Sequence, residues 1–215
     1  MNIAEQENEL FDEWQKVRKP FVRDGVACEE AYLASKRKTV FVLKESTRQT
    51  DEPGDLRDGL KEPYGPGWWK VARIQHGICE MDLPEQKRRK FDRSMKMPPS
   101  ICAFNLDKTG GHSTTNMERL ALIAMRDSKF IKRQFEIYVP DLTLCGGTFQ
   151  IFRYVMEHED IPVKETRHAK LPWYERRPGQ YVVGMKHPAD RGRGARSPED
   201  IIKAIKEIYG LLKGS

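Results

Sequence analysis

Four places in the chain set a polar or glycine residue where an apolar run stops: Glu45 after residues 39–43, Asn105 after 101–104, Gly146 after 142–145, and His187 after 181–185. A carboxylate such as Glu45 can position or activate water, or offset positive charge through space. An amide such as Asn105 offers one donor and one acceptor side by side, the pair that reads the edge of a planar heterocycle. A neutral imidazole such as His187 can donate to an oxygen that gains negative charge in a transition state. Purely structural readings stand beside these: Glu45 as a solvated carboxylate paired with Lys44 or Arg48, Asn105 as a turn residue, His187 packed at a strand end.

The elements that must carry these groups follow from apolar patterning. Residues 39–43 (TVFVL) are β-branched and apolar on both faces, which predicts a strand in the middle of a sheet. Residues 101–104, the run with Leu142, Leu144 and Cys145, and residues 181–185 read as further strands. Helical patterns lie between them: from Trp68 through Val71, Ala72, Ile74 and Ile78, over 115–138 as one long stretch ended by Pro140, and over 149–156. A last helix opens at Ser197, with Pro198 in the first turn and Glu199 and Asp200 facing the dipole. Residues 1–37, with Leu10, Phe11, Trp14 and Val17 at helical spacing, are expected to cap the core as an amphipathic helix. Residues 47–67 are rich in Asp, Pro, Gly and Arg and read as a long loop of the functional or disordered kind. Strands alternating with helices predict an α/β fold whose parallel sheet is covered on both faces and binds ligands beyond the strands' carboxyl ends. One domain spanning 1–215 is expected at this length.

The succession FVLKES, FNLDKTGG, PDLTLCGGTFQIF and YVVGMKHPADRGR resembles the uracil-DNA glycosylase superfamily over roughly residues 39 to 212. The resemblance implies a three-layer α/β/α fold with a central four-stranded parallel sheet, and an enzyme that flips a base from DNA and hydrolyses its N-glycosidic bond. It assigns the water-activating motif to residues 44–48, base reading to Asn105, and the His-Pro motif to His187 and Pro188. Glu45 and His187 would then be catalytic, with Ser46, Trp68 and Phe104 joining Asn105 around the base. Lys44, Arg48, Lys108, Gly146, Gly147, Thr148, Arg191, Arg193 and Arg196 would face the DNA backbone. Neither cofactor nor metal is implied, and the partner is DNA, duplex or single-stranded, bound by a monomer.

The family's first motif commonly sets an acidic or asparagine residue beside Pro or Gly, whereas this chain reads Lys-Glu-Ser-Thr-Arg; its last motif reads His-Pro-Ala-Asp. With Tyr64, Trp68 and Trp69 near the first motif, the change implies a pocket for another base, including a bulky modified one, or a loss of catalysis. A non-catalytic binder of damaged or modified DNA and an enzyme of free nucleotides are therefore the rival readings. The run from Lys87 to Lys90 reads as a solvated face.

Composition sets outer bounds. Lys and Arg total 38 against 32 acidic residues, a formal charge of +6 that allows a polyanionic partner without requiring one. No run of about 18 apolar residues and no secretory leader pattern is present, so a cytoplasmic address and no membrane contact are expected. Cys28, Cys79, Cys102 and Cys145 lie far apart without a CxxC pair and read as reduced, mostly buried thiols. Zinc deaminase, Walker and dinucleotide-binding signatures are missing.

Overall fold

The computed structural model describes residues 1–46, 54–60, 65–88, 96–110, 114–192 and 194–211. In chain order these form α1 (Ile3–Trp14), β1 (Val22–Arg23), β2 (Gly25–Val26), α2 (Glu29–Leu33), β3 (Thr39–Ser46), β4 (Gly54–Asp55), α3 (Leu56–Gly59) and α4 (Gly65–Cys79). They continue as β5 (Cys102–Gly110), α5 (Met117–Arg126), α6 (Ser128–Tyr138), β6 (Leu142–Gly146), α7 (Phe149–Val155), β7 (Lys164–Glu165), β8 (Pro172–Arg177), β9 (Gln180–Met185) and α8 (Pro198–Ile208).

The four strands expected from apolar runs lie side by side in the order β5-β3-β6-β9 and run parallel to one another. Val40, Phe41 and Val42 of β3 are fully buried, as an apolar run on both faces requires. The expectation of a four-stranded sheet is corrected, because among the described residues the sheet has seven strands and is mixed. β2 adds antiparallel to the β5 edge, and β8 and β7 add antiparallel beyond β9. β8 reaches β9 through Pro178 and Gly179, a short link that only an antiparallel pair can use. On one face α1, α5, α6 and α7 pack over Val40, Val42, Cys102 and Phe104; on the other α4 and α8 pack over Phe41, Leu43, Ile101 and Ala103.

Residues 1–37 form more than a helical cap, since they also supply β1, β2 and α2, and Val17 lies exposed beyond the end of α1. The pattern over 115–138 is two helices rather than one. Asp127 breaks it: its buried carboxylate accepts from the Trp14 indole at 3.1 Å and from Arg18 Nε at 2.8 Å, so it sits in the turn between α5 and α6. In α8 the N-cap forms as expected, with Ser197 Oγ accepting from the Asp200 N–H at 3.1 Å.

The connectivity changes direction within the sheet. After β3 the chain proceeds to β5 on one side, and after β6 it proceeds to β9 on the other. Connections that diverge in this way make a topological switch point between β3 and β6, the place where open α/β sheets bind ligands. None of the described helices is long and apolar enough to cross a membrane.

Candidate functional site

Glu45 and Asn105 come together through register. Leu43 pairs with Asn105 and Glu45 with Asp107 on adjacent parallel strands. By strand alternation Glu45 extends the Phe41–Leu43 row and Asn105 the Ile101–Ala103 row, so both belong to the face covered by α4 and α8. The expectation that Asn105 ends its strand is corrected: β5 continues to Gly110, so Asn105 lies inside it, and its backbone N–H donates to Asp24 Oδ2 at 2.8 Å. Asn105 is 5% exposed, and among the described residues its side-chain amide makes no hydrogen bond. The Glu45 side chain is also 5% exposed, and its carboxylate stands 3.5 Å from Arg119 Nη1.

His187 reaches the same end of the sheet from the loop after β9. Its Nδ1 accepts the Ala189 N–H at 3.3 Å, which leaves the ring proton on Nε2 when the ring is neutral. Burial is the main reason that its pKa is pushed down to about 4; Lys44 and Lys70 push the same way, and Asp190 opposes them. The ring is therefore a neutral donor across the physiological range.

The glycine pair after β6 explains how these chain ends can meet. A Cβ on Gly146 would lie 2.9 Å from Leu43 Cδ2 and 3.0 Å from Pro188 Cδ. One on Gly147, whose φ is +71°, would lie 2.8 Å from Lys44 Cε and 3.5 Å from both Cβ and N of His187. Lys44 of β3 and His187 of the β9 loop thus lie over the end of β6; the left-handed φ calls for glycine at 147, and the closeness of Leu43 and Pro188 favours it at 146. This close approach accounts for Gly146 and Gly147 without a phosphate.

Several residues expected at the site are placed elsewhere. Lys108 is 0% exposed, with Nζ 2.5 Å from Asp24 Oδ1 and within 5.1 to 5.9 Å of the Trp14, Phe104 and Phe11 ring centres, so it is an internal cation and not a DNA contact. Burial pushes its ammonium pKa down and Asp24 opposes the shift. Phe104 alternates with Asn105 and faces the other layer, buried against Tyr138 and Phe152, so it cannot be a base platform. Thr148 is buried and its hydroxyl donates to the Val42 carbonyl at 2.8 Å, which removes it from backbone recognition. Ser46 is buried at the end of β3, and Trp68 is half-buried against the α4/α8 core. Arg191 and Arg196 are exposed, the latter donating from Nε to the Ala169 carbonyl at 2.9 Å. Arg48, Tyr64 and Arg193, and with them Arg89 and Lys90, lie outside the described residues.

Reading the sequence missed Asp107 and Arg119 beside Glu45, Lys70 beside His187, and Asp24 behind Asn105. Asp107 was within reach, because it follows Asn105 by two residues on the same strand. A cleft of about 440 Å³ opens next to the cluster, lined by Gly147, Thr148, Phe149, Met185, Lys186 and Arg196 among others, but not by Glu45, Asn105 or His187. Of the cysteines, Cys102 and Cys145 are buried thiols, while Cys28 and Cys79 reach the surface. Among the described residues no group of three His, Cys, Asp or Glu side chains is gathered as a metal site would need. Comparison with known proteins finds no matching family model and no significant match among curated sequences.

Proposed function

We propose that the protein is a DNA glycosylase with a uracil-DNA-glycosylase-like core, which takes a uracil-like or modified base out of the helix and hydrolyses its N-glycosidic bond. The observation that carries this reading is the neutral His187 with a free Nε2–H, set on the same sheet rim as the carboxylate of Glu45 and the unpartnered amide of Asn105. The parallel order β5-β3-β6-β9 supports it further, with Glu45 next to last in β3, His187 just beyond β9, and Asn105 inside β5 at the level of Leu43. Three strand spacings, about 14 Å, separate the backbones that carry Asn105 and His187, so both side chains must reach inward across the ends of β3 and β6 to meet one planar base.

In this mechanism Asn105 reads the base edge with its paired donor and acceptor. As the C1′–N bond stretches, its electron pair moves onto the base, and the His187 Nε2–H donates to the carbonyl oxygen where that charge collects. Water attacks C1′ of the cationic sugar, and Glu45 takes the proton that the water releases. The products are an abasic site and the free base, which gains a proton from solvent. Lys44, Lys70, Lys186, Arg191 and Arg196 surround this end of the sheet and supply the charge that phosphates require.

Single-turnover excision tests the assignment. His187→Ala and Glu45→Gln should each slow base release by about 100-fold or more, the loss typical of one transition-state donor, while affinity for DNA changes little. Full rates in both variants would remove these residues from catalysis. Tight DNA binding with no product from the unmutated protein would point instead to a reader of modified bases.

A further inference from the structure

We propose that Arg119 and Asp107 clamp Glu45 in its working orientation, which makes Arg119 a positioning residue for the carboxylate that handles water; this rests on the glycosylase reading above. Arg119 is the third residue of α5, and its backbone N–H donates to the N-cap side chain of Asn116 at 3.0 Å, so its Cα is fixed. Its guanidinium spans the ends of two strands. Nη1 lies 3.5 Å from Glu45 Oε2, and Nη2 lies 3.3 Å from Asp107 Oδ2 and 3.4 Å from Thr109 Oγ1.

Asp107 is the rigid half of the clamp. Its Oδ1 accepts from both the N–H and the hydroxyl of Thr109, at 2.8 and 2.7 Å. Its Oδ2 is buried and accepts no hydrogen bond among the described residues, so the cation of Arg119 is what faces it. Glu45 and Asp107 are register partners on neighbouring strands, and two carboxylates so placed repel each other unless a cation lies between. A planar guanidinium on a fixed helix can bridge both, which a lysine ammonium does less well. The bridge engages one oxygen of Glu45 and leaves the other for water.

The clamp is accessible to experiment because the Arg119 side chain is 44% exposed, so it can be removed without opening the core. Arg119→Ala should lower the single-turnover excision rate by about 10- to 100-fold, the range in which misplacing a catalytic group by about an ångström falls. Affinity for an uncleavable 2′-fluoro oligonucleotide should change less than about threefold, and the melting temperature should stay within a few degrees. Arg119→Lys should recover part of the rate, and millimolar guanidinium should restore part of the activity of Arg119→Ala but none to Glu45→Gln. An unchanged rate in Arg119→Ala, or a loss confined to DNA affinity, overturns the clamp while leaving the glycosylase reading intact. No excised base from the unmutated protein on any substrate overturns both.

Discussion

Replacing Lys108 by Met removes one charge from a fully enclosed pair and leaves the other in place. The ammonium sits 2.5 Å from Asp24 Oδ1, and the two side chains are 0% and 1% exposed. Asp24 would keep its bonds from the Asn105 N–H at 2.8 Å and Gln134 Nε2 at 2.9 Å, but not its counter-charge. Breaking a buried pair by deleting one partner costs about 3–5 kcal/mol. Met fills most of the space between Phe11, Trp14 and Phe104, so the loss should fall near the lower end, about 3 kcal/mol. For a chain of this size that corresponds to a fall in Tm of about 6–12 °C. Scanning calorimetry on Lys108→Met, Asp24→Asn and the double variant is the assay. The double variant should lose less than the sum of the two single changes, since it leaves no unpaired charge. A Lys108→Met protein that melts within about 1 °C of the original would refute a buried ion pair at this position.

The state of His187 gives two further expectations. Imidazole NMR should show the Nε2–H tautomer and a midpoint near 4; an Nδ1–H tautomer or a midpoint near 6.5 would contradict the burial and the Ala189 contact. Because this pKa lies below the unfolded value of 6.5, the unfolded chain binds more protons between those two points. Its contribution to stability is therefore whole above about pH 6.5 and is lost as pH falls towards 4, and His158, also pushed down to about 4, acts in the same direction. Chemical denaturation from pH 7 to 4.5 should show this decline, and His187→Gln should make it shallower. Gly147→Ala puts a side chain at a φ of +71°, so it should cost about 1–3 kcal/mol, while His187, 3.5 Å from the new methyl, should keep its place. Unchanged melting would show that the backbone at this turn is not strained.

Much of the scaffold was legible because buried parallel strands advertise themselves as continuous apolar runs. TVFVL, and the runs at 101–104, 142–145 and 181–185, fall on the four adjacent parallel strands, although β3 and β5 run on to Ser46 and Gly110, and Ser197 caps its helix as its sequence implies. The edges were not legible, because β2 is only two residues long and β8 (PWYERR) mixes charged and aromatic residues with little alternation. Asp127 looked like one polar position in a helix until Trp14 and Arg18, more than 100 residues away in sequence, came to its carboxylate. Lys108 misled for the same reason. A lysine in the polar run NLDKTGG reads as a surface cation, and only the fold, which extends β5 through it, brings Asp24 and three aromatic rings around it. At the candidate site, residue types after apolar runs singled out Glu45, Asn105 and His187, and the structure shows Asn105 inside β5 rather than at its end. Alternation, which sends Phe104 and Asn105 to opposite layers, and the partners Asp107, Arg119 and Lys70 required the three-dimensional register.

Whether a base leaves the DNA is decided by analysing the products. The protein would be incubated with oligonucleotides carrying uracil, other deaminated bases and bulky cytosine derivatives, followed by mass spectrometry of the released material and alkali treatment of the DNA. The account predicts a free base and an alkali-labile abasic site from at least one of these substrates, without added metal or cofactor. DNA that is bound but intact across the whole panel, with no base released, would contradict it.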